Sequence, residues 1–80
     1  MKIYKAGVYI HDVSDLVLGQ KYSLCGVVGV FIGIRDENIY QFLNEDDGIG
    51  FWIEEYSLQD YMDNKKVCII TGVVRPRKKY

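Results

Sequence analysis

Eighty residues, 49% of them hydrophobic and 26% charged with a single proline, make one small domain spanning 1–80. A chain of that length hides only about 60% of the surface its unfolded form exposes, which excludes a large catalytic cleft with its own core, and the composition excludes wholesale disorder. The net charge of −1 excludes a uniformly cationic body; Arg75, Arg77, Lys78 and Lys79 gather at the end while Glu45, Asp46, Asp47, Glu54 and Glu55 sit in the middle, so any attraction to phosphate must be local.

The opening MKIYKAGVYIHD lacks the apolar core and cleavage site of a secretory leader, and no apolar run approaches the ~20 residues that span a bilayer, which predicts an intracellular protein, in the cytoplasm, nucleoid or nucleus, with no membrane partner. Ile3–Ile10, rich in Tyr, Val and Ile, reads as a strand. His11–Asp15 follows as a polar turn in which Asp12 or Ser14 caps a turn of helix over Leu16–Leu18, stopped by Gly19. Tyr22–Ile34 is the longest apolar run, and Gly26, Gly29 and Gly33 mark it as one sharply bent or bulged strand. Arg35–Asn38 is a hairpin loop, Ile39–Asn44 a strand, Asp47-Gly48 a turn, and Ile49–Glu55 the next strand. Ser57 caps a short helix with Asp60 at its third position, Leu58, Tyr61 and Met62 on one face, and Asn64 ending it in the left-handed conformation. Val67–Val74 is the last strand, and Pro76 ends its pairing. Cys25 and Cys68 each lie within an apolar run, which predicts buried free thiols, with a Cys25–Cys68 bridge as the alternative.

Short strands with one helix argue for an all-β fold, a closed or partly closed barrel. The segments DVSDLVLGQKYSLCGVVGV, FLNEDDGIGFWI and KKVCIITGVV resemble the oligonucleotide/oligosaccharide-binding (OB) family over residues 12–75, in particular domains of replication protein A, archaeal single-stranded-DNA-binding proteins and the anticodon-binding domains of some aminoacyl-tRNA synthetases. The resemblance implies a five-stranded barrel that binds nucleic acid. Only RPRKKY follows Val74, too short and too basic for a fifth strand, so Ile3–Ile10 is expected to close the barrel; otherwise an open edge is left for a partner chain.

Single-strand binding needs exposed aromatic rings beside cations. Strand alternation puts Ile49, Phe51 and Ile53 on one face, the core, and sends Trp52 outward as the best stacking candidate, or as a rim tryptophan packed under a loop or against a partner. Tyr40 and Phe42 share a face that periodicity alone leaves either ligand-facing or buried, and Phe31 is open in the same way. Arg35, Lys65, Lys66, Arg75, Arg77, Lys78 and Lys79 lie on elements that border the groove in the OB family; for the tail, a merely solvated basic segment is the alternative. The lone His11 has no catalytic partner, Glu45-Asp46-Asp47 has no EF-hand spacing, and no phosphate-loop, nucleophile-elbow or zinc pattern occurs, so neither an enzyme nor a cofactor or metal is expected. The expected function is a single-stranded DNA- or RNA-binding module; the alternative is a protein-interaction OB subunit of a larger nucleic-acid-processing complex, a homodimer or heteromer assembled through an open sheet edge.

Overall fold

A computed structural model describes residues 3–74, and the side chains of 3–73. The elements are β1 (Ile3–Tyr9), a 3-10 turn (Val13–Asp15), β2 (Lys21–Leu24), β3 (Val27–Arg35), β4 (Ile39–Asn44), β5 (Gly50–Glu54), α1 (Glu55–Asp63) and β6 (Val67–Val74). All strands join one antiparallel sheet in the order β1-β6-β2-β3-β4-β5. The chain is therefore all-β with one short helix, as its sequence predicts. No helix among the described residues is long and apolar enough to cross a membrane.

Two expectations are corrected. The sheet has six strands and not five, because Tyr22–Ile34 is a hairpin and not one bent strand: Leu24 pairs with Val27, and Cys25 and Gly26 turn the chain between them with φ of 52° and 90°. Two positive φ values in a two-residue loop are those of a type I′ turn, whose twist matches that of its flanking strands. Nor does the N-terminal strand close a barrel. It adds beside β6, but among the described residues the sheet ends at β1 on one side and β5 on the other. Across that opening the Tyr4 hydroxyl donates to the Asp46 carboxylate at 3.0 Å, a side-chain contact where backbone pairing is absent.

The inner face carries the core. Tyr22, Leu24, Phe31, Tyr40, Phe42 and Val67 lie there under Ile10, Leu58 and Met62, with Phe51, Ile53, Tyr61 and Ile69 packed against them. The rings run in a row, Phe31 5.5 Å from Phe42 and Phe42 5.6 Å from Phe51 between centroids. Such offset contacts add about 0.5–1.5 kcal/mol each to the burial of the rings. Gly29 makes room for them: a Cβ there would lie 2.9 Å from the Phe51 ring and 3.2 Å from Phe42 Cβ.

The helix begins three residues earlier than the capping pattern suggests. Glu54 is its N-cap without a side-chain bond, and Ser57 lies within it. At its C-terminus the left-handed residue is Lys65 (φ 57°) and not Asn64 (φ −93°). The Lys65 N–H donates to Met62 C=O and the Lys66 N–H to Tyr61 C=O, the paired bonds of a Schellman motif. Asp12 does cap, but over Val13–Asp15, accepting from the Ser14 N–H and hydroxyl. Those bonds hold its carboxyl below the usual aspartate range.

The cysteines are both free, but only Cys68 is buried; Cys25 is exposed in the β2–β3 turn. A residue in that turn projects beyond the sheet, so neither burial nor a bridge to Cys68 is available to it.

Candidate nucleic-acid interface

Cross-strand partners share a face, so the register sorts the candidates directly. Phe31 pairs with Phe42, which pairs with Phe51, and Tyr40 pairs with Ile53, all on the inner face. Phe31, Tyr40 and Phe42 are buried, Phe42 completely. The ligand-facing option for these three is thereby corrected: the rings are sealed in the core and offer no face to a base. Tyr40 additionally donates its hydroxyl to Glu55 at 3.1 Å. Burial foremost, then that bond and the Glu55 charge, raise its phenol above the usual 10.0.

Trp52 is on the outer face, paired with Gln41, and 55% exposed. Of the apolar trio that flanks it, Phe51 and Ile53 are half-buried against the core as expected, but Ile49 precedes the strand and is 65% exposed, a correction. The strand pairs with β4 only from Gly50, so Ile49 belongs to the turn.

Arg35 reaches the same face through an irregularity. The β3–β4 register slips between Phe31 and Gly33, after which Arg35 pairs with Ile39, and Ile39 with Glu54. Without that extra residue, strict alternation from Phe31 would turn Arg35 inward; the bulge turns it outward. Its side chain is 56% exposed, with Asp36 only loosely engaged at 3.8 Å. By strand and residue spacing the Cα atoms of Arg35 and Trp52 lie roughly 12 Å apart across β3–β4–β5. Gln41, half-buried, stands between them, with Glu54 at the margin. Lys21, which sequence reasoning passed over, is also on this face, in the row Lys21–Val30–Leu43–Gly50, but it is bound to Glu45 at 2.8 Å. The local charge is thus near balance: Arg35 against Glu54, Lys21 against Glu45.

Of the remaining candidate cations among the described residues, neither is brought to Trp52. Lys65 and Lys66 are exposed beyond the start of β6, beside the β2–β3 turn, where the Cys25 N–H donates to the Lys66 C=O. Arg75, Arg77, Lys78 and Lys79 lie outside the described residues.

A concavity of about 390 Å³ opens on the inner face between the β2–β3 turn, the β4–β5 turn and α1, lined mainly by Leu24, Val27, Ile49, Phe51, Ile53 and Tyr61. It is apolar and on the opposite face from Trp52. Among the described residues no cluster of His, Cys, Asp and Glu side chains could hold a metal ion.

Comparison with known proteins finds no matching family model, no matching curated protein and no matching solved structure.

Proposed function

We propose that the chain is a non-catalytic module that binds single-stranded DNA or RNA on the outer face of β3–β4–β5, with one base stacked on Trp52. The observation that carries the reading is the exposure of Trp52 on a regular strand, on one face with Gln41, whose amide can bond a base edge, and Arg35, which can meet a phosphate. The proposed relation to OB-type domains is supported by the small antiparallel sheet and by a single helix leading into the last strand.

Among the described residues, one stacking ring and one loosely paired cation on this face make a short, weak footprint governed by stacking more than by charge. Each phosphate contact contributes about −0.7 to the slope of log affinity against log salt, so with Arg35 as the contact the slope should stay near −0.7. Titration of an oligonucleotide should quench the fluorescence of Trp52, the single tryptophan, and Trp52→Ala should weaken binding by about 1–3 kcal/mol at unchanged melting temperature. Absence of quenching by both DNA and RNA single strands at low salt would sink the proposal. The unpaired β5 edge favours a second reading, a subunit that assembles by strand addition.

A further inference from the structure

Among the described residues the sheet ends in two unpaired edges, β1 and β5, which differ in kind. The register of β1 against β6 slips between Lys5 and Ala6 and again before Tyr9. Bulges and a lysine are devices that blunt an edge against further pairing. β5 has neither: its register with β4 is unbroken from Gly50 to Glu54, and it contains no proline, lysine or arginine. Before β5 the Asn44 N–H donates to the Ile49 C=O, and after it the Glu55 N–H donates to the Asn38 C=O. Antiparallel alternation between those bonds turns the N–H and C=O of Phe51 and Ile53 toward β4, and those of Gly50, Trp52 and Glu54 toward the open side.

From this edge we infer that the chain self-associates, β5 of one copy adding antiparallel to β5 of a second about a twofold axis at Trp52. Centred there, every outward backbone group finds a partner: Trp52 bonds its counterpart, and Gly50 bonds Glu54 of the other copy. Centring on Glu54 would oppose two carboxylates, and centring on Gly50 would set Glu54 against Asp46. Centring on Phe51 or Ile53 would make that residue the non-hydrogen-bonded pair and bond only two of the three outward residues within the strands, leaving Glu54 opposite the turn at Gly48 or Gly50 opposite Tyr56 at the start of α1. Only the register centred on Trp52 therefore pairs all three outward residues within the two strands, and in it no charge meets a like charge. Ile49 and Tyr56, 65% and 73% exposed, lie just beyond the two ends of β5 and approach one another across the axis. Five paired residues bury far less than the ~1,600 Å² of a standard interface, so the dimer is weak and reversible. Its twofold axis is perpendicular to the sheet, so the outer face continues across the junction with two Trp52 rings side by side. The inference rests on the edge and not on nucleic-acid binding.

Sedimentation of the full chain over a range of concentrations should give a monomer–dimer equilibrium. Position 50 tests the register. A Cβ at Gly50 meets nothing closer than the Phe42 carbonyl oxygen at 3.8 Å, and its φ is not left-handed, so a side chain fits there and falls opposite Glu54 of the second copy. Gly50→Glu should weaken the dimer and Gly50→Lys tighten it, each by about two- to thirty-fold through two symmetric contacts, with wild-type circular dichroism in both. In the wild-type chain, which needs no variant to fold, the Trp52 amide should gain exchange protection as concentration rises. A monomeric mass up to about 1 mM, the weak end of association, would overturn the inference. So would a dimer that both variants shift in one direction or leave alone, concentration-dependent protection at β1 in place of β5, or open-ended polymers from β1–β5 pairing.

Discussion

Tyr40 shows how one side chain can be mistaken for a ligand contact. Its ring and hydroxyl suit a binding face, yet the ring packs beside Phe31 at 6.0 Å and the hydroxyl is committed to Glu55. Alternation within β4 could not decide between the two faces, because Ile39, Gln41 and Leu43 are as plausible a core as Tyr40 and Phe42; only pairing to Phe31 and Ile53 settles it. Trp52 was legible because Phe51 and Ile53 left it no inward place. The burial of Tyr40 has a consequence in pH. A raised phenol favours the neutral folded form, so its contribution to stability is full below pH 10 and is lost as pH rises through the folded-state value. Melting temperatures taken from pH 8 upward should fall more steeply above about pH 10 in the wild type than in Tyr40→Phe, which itself costs about 1 kcal/mol at neutral pH. Equal slopes would show that Tyr40 does not control the alkaline limb.

At the scale of elements, the strands and the helix were readable from period and β-branched content, and the junctions were not. The β2–β3 turn uses Cys25-Gly26 where Asn-Gly is the familiar signal, so three glycines in one apolar run suggested a bend. They do three separate things: Gly26 turns the chain, Gly29 admits the Phe51 ring, and Gly33 lies at the bulge with φ of 146°. The helix end misled in a similar way. Asn64 is the residue a left-handed cap prefers, but its side chain bonds the Asp60 C=O at 2.8 Å and the next residue, Lys65, takes the strained position. Lys65→Gly should therefore raise stability by about 1 kcal/mol, measured by urea denaturation. A loss would mean that the Lys65 stem contributes packing that outweighs its backbone strain.

For the whole molecule, fold class was legible and closure was not, since nothing within a strand records whether its far edge finds a partner. Stability rests on one helix holding one face. Leu58 and Met62 are completely buried against Tyr22 and Phe42, and removing the Leu58 side chain should cost about 2–5 kcal/mol. An 80-residue domain holds roughly 4–12 kcal/mol in all, so Leu58→Ala should leave it marginally folded at room temperature, visible as a large fall in the urea midpoint. A small shift would place the weight of the core on the ring row of Phe31, Phe42 and Phe51 instead. The β3 bulge works at this scale too. Because one supernumerary residue decides which way Arg35 points, the charge of the outer face is encoded in the length of β3 as well as in its letters. Loss of a single codon there would turn the arginine inward with every functional side chain still present. Variation in this protein is thus read most informatively by counting residues between Phe31 and Arg35 before comparing their identities.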